Sequence, residues 1–298
     1  MPSVRDIRRR IKSVRNTAKI TKAMQLVAAS KMRRAQQAAM DSRDYARLLY
    51  SVMAQALRHV GDFRPPLMEQ RPVRKSALIV ISPDKGLCGP LVSNLVREAM
   101  KHDPVTTVYV AVGKKAGQAV TRLRRTLLAE FAMHDRPHFA DARAVSKFAQ
   151  DLFLKDEVQR VQVLFTDFIS TVSQKPVVWD LLPIGEPRRC CADLKGEKGF
   201  SEPVAEEVHM GGATEFKFEP SAPHVLDLLL PYALNYEIFQ MMLESRASEY
   251  SARMVSMKNA TDNAEDLIHH LTLTSNKMRQ AAITKELLDI TTAALAGV

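Results

Sequence analysis

The 298 residues carry 43 basic and 33 acidic side chains, a formal charge of +10, with 11 glycines and only 6% aromatic residues. That length accommodates two domains or one domain plus an extended element, and the wealth of Ala and straight-chain residues over Gly leans toward helix. No apolar run reaches the roughly 18 residues of a membrane-spanning helix, no apolar core of a secretory signal follows the N-terminus, and three cysteines (Cys88, Cys190, Cys191) give no disulfide framework, which points to a reducing compartment.

The first forty residues hold eleven of the basic groups, Arg5, Arg8, Arg9, Arg10, Lys12, Arg15, Lys19, Lys22, Lys31, Arg33 and Arg34, against Asp6 alone. The whole surplus of charge therefore lies there, and a partner with an acidic surface is expected to meet it. The same segment places apolar or small residues at alternating three- and four-residue intervals: Ile7, Ile11, Val14, Ala18, Thr21, Gln25, Ala28, Met32, Ala35, Ala39, Ser42, Ala46, Leu49 and Met53. No Pro or Gly interrupts it between Ser3 and Val60. Sustained over more than six heptads, the spacing predicts a coiled-coil seam on one helix within residues 1–60, about 55 residues of which make a rod of roughly 80 Å. An Arg-rich, acid-poor start also suits a mitochondrial transit peptide, but such a peptide would end sooner than this stripe does.

A basic amphipathic helix has three uses: neutralising nucleic-acid phosphates, lying on an anionic membrane, or facing an acidic protein collar. The first two call for interleaved aromatic or base-reading groups, or for bulky apolar anchors. No aromatic residue occurs from Met1 to Asp44, which favours the protein collar and leaves a coiled-coil nucleic-acid-binding protein as the alternative.

Residues 74–185 read as a central Rossmann-like α/β domain with a mostly parallel sheet. Buried-strand runs at Lys75–Ser82, Thr106–Gly113, Thr126–Met133, Val161–Ile169 and Pro176–Leu182 alternate with helical stretches at Leu91–His102, Lys114–Leu123 and from Asp141 to about Val158. Gly86-Leu87-Cys88-Gly89 follows the first strand; it reads as a tight strand-to-helix turn before an anion cradle. No GxxxxGK[ST] phosphate loop occurs, so neither nucleotide hydrolysis nor a bound cofactor is expected of this chain. His134 and His138, near Glu130, Asp135 and Asp141, have the donor types of a metal site, but Pro137 denies them helical alignment and a solvated loop is the expectation. Residues 186–220 read as a mobile loop and foot; its Gly-, Glu- and Lys-rich part spans 185–214. The adjacent Cys190 and Cys191 would close a strained ring as a disulfide, so unpaired thiols are expected.

The last segment, 221–298, repeats the seam with Tyr250, Met254, Met257, Thr261, Ala264, Ile268, Leu271, Ser275, Met278 and Ala282, widened by Ile283, Leu287 and Ile290. Pro231 is expected to kink or start this helix. His269 and His270 are adjacent, so one at most faces the seam. Two rods at opposite ends of a chain joined by a compact middle are expected to lie antiparallel. The polar seam positions Thr21, Gln25, Thr261 and Ser275 cost stability but fix register.

Specific stretches then carry a resemblance. IKSVRNTAKITKAMQLVAASKMRRAQ (Ile11–Gln36), SEYSARMVSMKNATDNAEDLI (Ser248–Ile268) and NKMRQAAITKELLDI (Asn276–Ile290) resemble the terminal helices of the gamma subunits of F-type ATP synthases. ISPDKGLCGPLVSN (Ile81–Asn94) is similar to that family's central turn, with Pro90 where the family has a second glycine. The resemblance implies a non-catalytic rotor shaft inside a hexamer of three alpha and three beta chains, held below by an epsilon subunit and a membrane ring, at the cytoplasmic face of a bacterial inner membrane. Proton flow would turn ring and shaft, and catalysis would belong to the beta chains. Carried over by motif, Lys19, Lys22, Met24, Lys31, Arg33 and Arg34, with Arg279, Gln280, Thr284 and Glu286, would touch the beta chains. Phe216, Phe218 and Glu219 would face the ring and epsilon.

Overall fold

The computed structural model describes residues 3–58, 65–185, 218–219 and 221–296. Its element order is α1 (Val4–Arg58), a short 3-10 turn (Pro66–Met68), β1 (Ser76–Ile81), α2 (Leu91–Ala99), β2 (Thr107–Val112), α3 (Lys114–Arg122), β3 (Leu127–Phe131), α4 (Phe139–Leu154), β4 (Arg160–Phe168), β5 (Gln174–Leu182) and α5 (Ala222–Ala296). The chain divides into a smaller unit of Met1–Ala28 with Met254–Val298, and a larger one of Ala29–Arg253.

The smaller unit consists of the first part of α1 and the last part of α5. Ser3 and Asp6 cap α1 reciprocally: the Ser3 hydroxyl accepts from the Asp6 N–H at 3.2 Å, and the Ser3 N–H donates to Asp6 Oδ2 at 3.2 Å. The sequence carries this signal as Ser3-x-x-Asp6. Hydrogen bonds from Ser3 hold the Asp6 carboxyl below its usual range. Ile7, Ala18, Thr21 and Ala28 are buried on α1, and Met257, Thr261, Ala264 and Ser275 on α5. Between them Thr21 Oγ1 and Thr261 Oγ1 meet at 2.7 Å. The expected seam stops short at its far end, however. From Arg279 to Leu288 every α5 side chain is exposed, Ile283 and Leu287 at 50% and 59%, and Ile290 beyond them is 64% exposed. Periodicity reports which residues share a helix face, not whether a partner helix lies opposite.

In the larger unit the sheet has strand order β3-β2-β1-β4-β5, parallel except for β5, which runs antiparallel to β4. The strict alternation of β1 shows why helices must cover both faces. Ala77, Ile79 and Ile81 pack with α4 and with α1 and α5 residues such as Met53 and Leu230, whereas Leu78 and Val80 pack with Leu95 of α2 and Val120 of α3. The α1 seam positions Met32, Ala39, Ala46, Leu49 and Met53 are all buried. The antiparallel sense of α1 and α5 follows from successive contacts: the Lys31 ammonium sits over the Tyr250 ring at 5.6 Å, Ala39 O accepts from Gln240 Nε2 at 3.3 Å, and the Tyr45 and Tyr236 rings lie 5.0 Å apart.

Two local expectations change. Helix α5 begins at Ala222 and runs through Pro231 rather than starting there; buried Leu226 and Leu230 on the preceding turns join the core and offset the lost backbone bond. Helix α4 starts at Phe139, before Asp141, because Asp141 is its third residue and its carboxylate accepts the His138 N–H at 3.0 Å.

Candidate functional site

The crevice beyond the carboxyl ends of parallel strands, where strand order reverses, is where doubly wound sheets bind ligands. Here that point lies between β1 and β4, since α2 and α3 cover one face and α4 the other. The chain's own α5 fills it. Small residues allow the close approach: Ser248 Oγ donates to Thr166 O at 3.1 Å, Ser251 Oγ donates to Thr171 O at 2.7 Å, and Ala252 joins the core on the α2 side.

The turn after β1 is shaped for this helix. Leu87 and Gly89 adopt φ of 63° and 59°, and Pro90 immediately precedes α2. The Arg253 guanidinium donates to the carbonyls of Lys85 and Gly86 at 3.3 and 3.2 Å. The turn thus presents carbonyl oxygens to a cation of the same chain, the opposite polarity from an anion cradle. Cys88 is buried beneath it, and burial pushes its thiol upward in pKa.

Arg246 and Glu249 sit beside this contact with side chains 3% and 4% exposed. Glu249 bridges Arg246 and Arg253, and Arg246 also donates to the carbonyls of Met133 and His134. Removing one partner of such a buried group leaves an uncompensated charge, a loss of about 3–5 kcal/mol. Sequence reading missed this cluster, because Arg, Glu and Arg at three- and four-residue spacing look like a solvated helix face.

The histidine-rich stretch divides its groups among separate partners. His134 Nδ1 lies 3.1 Å from Asp141 Oδ2, and Asp135 pairs with Lys31, whose hydrogen bond holds the Asp135 carboxyl below its usual range. Among the described residues no three His, Cys, Asp or Glu side chains converge as metal donors.

The sequence-nominated contact residues fall as follows. In the smaller unit Lys19 and Lys22 are exposed one turn apart on α1, and Met24 is half-buried. The exposed apolar residues Ile20, Leu26 and Val27 lie on the same stretch. On α5, Arg279, Gln280, Thr284 and Glu286 are all exposed; Gln280 and Thr284 share one face, Arg279 and Glu286 another. In the larger unit Arg33 and Arg34 are exposed, while Lys31 is engaged within the chain by Asp135 and Tyr250. Among the described residues Lys31 alone of the eleven N-terminal cations forms an ion pair. Phe218 is half-buried against the core and Glu219 is exposed. Phe216, Cys190, Cys191 and residues 186–214 lie outside the described residues.

Comparison with known proteins gives these features a family. The family model described as ATP synthase matches residues 3–296. The "ATP synthase gamma chain" of Methylacidiphilum infernorum is 43% identical over 298 residues, covering 98% of each chain. That of Opitutus terrae is also 43% identical, covering 100% of this chain and 99% of its own. Among solved structures, the rotor of the Euglena gracilis mitochondrial ATP synthase aligns with a TM-score of 0.68 at 20% identity, over 94% of this chain and 98% of that one. The central stalk with c-ring of the Tetrahymena thermophila enzyme aligns with a TM-score of 0.60 over 81% of this chain and 99% of that one, again at 20% identity. The solved structures share the fold, the bacterial relatives share the sequence end to end, and the chain belongs to the ATP synthase gamma chain family.

Proposed function

We propose that this chain is the rotating central shaft of an F-type ATP synthase and performs no catalysis of its own. In this reading its helix pair turns within three alpha and three beta chains, its foot is held by the epsilon subunit and the membrane c-ring, and the assembly sits at the cytoplasmic face of a bacterial inner membrane. Proton flow turns the ring and the shaft, and the shaft drives each beta chain through its nucleotide-binding states.

The observation that carries the reading is the pairing of α1 with α5 through a narrow seam, with most of the cations left facing outward. A shaft must transmit torque along its length while sliding within its housing. A paired seam supplies stiffness. Exposed cations on α1 supply attractions of about 1 kcal/mol or less per pair to acidic loops, enough to bias a dwell without locking rotation. Full-length similarity to bacterial gamma chains supports the same assignment.

Mixing the chain with the matching alpha and beta chains tests it. The expected result is a complex whose ATPase activity exceeds that of any component alone. Failure to co-purify at moderate salt contradicts the proposal.

A further inference from the structure

The proposed function leaves unused the charged group where α5 crosses the sheet. Arg246 is 2% exposed, Glu249 3%, and they stand one helical turn apart. Arg246 Nε donates to the His134 carbonyl at 2.8 Å, and its two terminal nitrogens reach the Met133 carbonyl and one Glu249 oxygen. The other Glu249 oxygen lies 2.7 Å from an Arg253 nitrogen, which also reaches the Lys85 and Gly86 carbonyls. Two cations thus share one carboxylate, and each also donates to the backbone of a loop at the carboxyl end of a strand, Arg246 after β3 and Arg253 after β1.

We propose that Arg246, Glu249 and Arg253 are the grip by which the sheet domain turns α5, acting as positioning residues for energy coupling. Apolar packing is non-directional; it resists separation of a helix from a sheet far better than rotation of that helix about its own axis. Charge-assisted bonds from a forked guanidinium to fixed carbonyls are directional. Twisting α5 pulls these donors from their acceptors and strands charge in a buried site. The inference rests on the rotor reading.

The test uses the complex with alpha and beta chains immobilised and a bead on a cysteine replacing Val172, which is 79% exposed on the β4–β5 turn, the natural cysteines being replaced. The readout is the angular spread of the bead while the motor pauses. Glu249→Gln acts on the grip through the two arginines it holds in place: charged hydrogen bonds are about twice as strong as neutral ones, so both guanidiniums are held less firmly and the angular variance is expected to widen about twofold. Hydrolysis should persist, and the ratio of proton pumping to hydrolysis in reconstituted vesicles should fall. Arg253→Lys, which keeps the charge but replaces the guanidinium nitrogen that reaches the Lys85 and Gly86 carbonyls, is expected to fall between, and serves alone if Glu249→Gln fails to assemble. Arg160→Gln, which breaks the exposed Arg160–Asp180 pair on the same sheet, is expected to change nothing. An unchanged spread in Glu249→Gln or Arg253→Lys, or equal widening in Arg160→Gln, overturns the inference. A bead that never rotates on the unsubstituted chain overturns the rotor function instead.

Discussion

Thr21 and Thr261 have one hydroxyl proton each, and each can donate either to the other's oxygen or to a carbonyl of its own helix, Ala18 for Thr21 and Met257 for Thr261. One threonine therefore donates across the seam while the other donates back into its own helix. Neither is stranded by loss of its partner, since each keeps a helical carbonyl. Thr21→Val is expected to cost about 1 kcal/mol, and Thr21→Val with Thr261→Val less than the two singles together, by about 1 kcal/mol in a double-mutant cycle. Strict additivity in urea denaturation would show that the hydroxyls do not interact. A second residue sets a pH limit. Burial raises the Tyr250 phenol from its ordinary 10.0 to about 12, and its hydroxyl donates to the Asp135 carbonyl at 3.4 Å. The unfolded chain loses this proton first, so the stability that Tyr250 contributes is intact below pH 10 and is lost as pH rises toward 12. Stability measured across that window should fall less steeply in Tyr250→Phe than in the parent; identical slopes would contradict the assignment.

The elements divide by how far away their determinants lie. The seam was legible because a helix repeats its face every three to four residues: from Ile7 to Met53 every predicted seam residue is buried or half-buried. β1 and β2 were legible as apolar runs between turn signals, and the observed strands lie within one residue of the expected ends. The end of the seam was not legible, because Ile283 and Leu287 have the right spacing but no covering helix among the described residues. Nor was the Arg246–Glu249–Arg253 group, whose burial depends on carbonyls more than a hundred residues away in sequence. Two substitutions test the elements themselves. Gly113 joins β2 to α3 with φ of 99°, and a Cβ there would lie 2.0 Å from the Ser82 carbonyl oxygen. Gly113→Ala should therefore cost at least about 3 kcal/mol, the upper end of backbone strain alone, read as a large drop in the thermal midpoint. Ala264 is 8% exposed on the seam; Ala264→Trp overpacks it and should cost about 1–3 kcal/mol. Proton pumping in vesicles should suffer more than ATP hydrolysis, and an unchanged midpoint with unchanged pumping would count against the seam.

For the whole molecule, the placement of charge matters more than its amount, since the surplus of ten lies within the first forty residues. Of those cations Lys31 is engaged internally, while Lys19, Lys22, Arg33 and Arg34 are exposed. Attraction between exposed charges is screened beyond about 8 Å at physiological salt. Association with the alpha and beta chains should weaken as salt rises, and less steeply once Lys19 and Lys22 are changed to Gln. The central claim is mechanical: α1 and α5 turn together as one body inside a fixed housing. Thr21 and Thr261 give the most direct way to test it, because their hydroxyl oxygens already touch. With both changed to Cys and joined by oxidation in the bead-bearing complex, ATP-driven rotation should continue at the rate of the reduced form. Rotation that stops on cross-linking and returns on reduction would show that the two helices must move past each other, and would contradict the account.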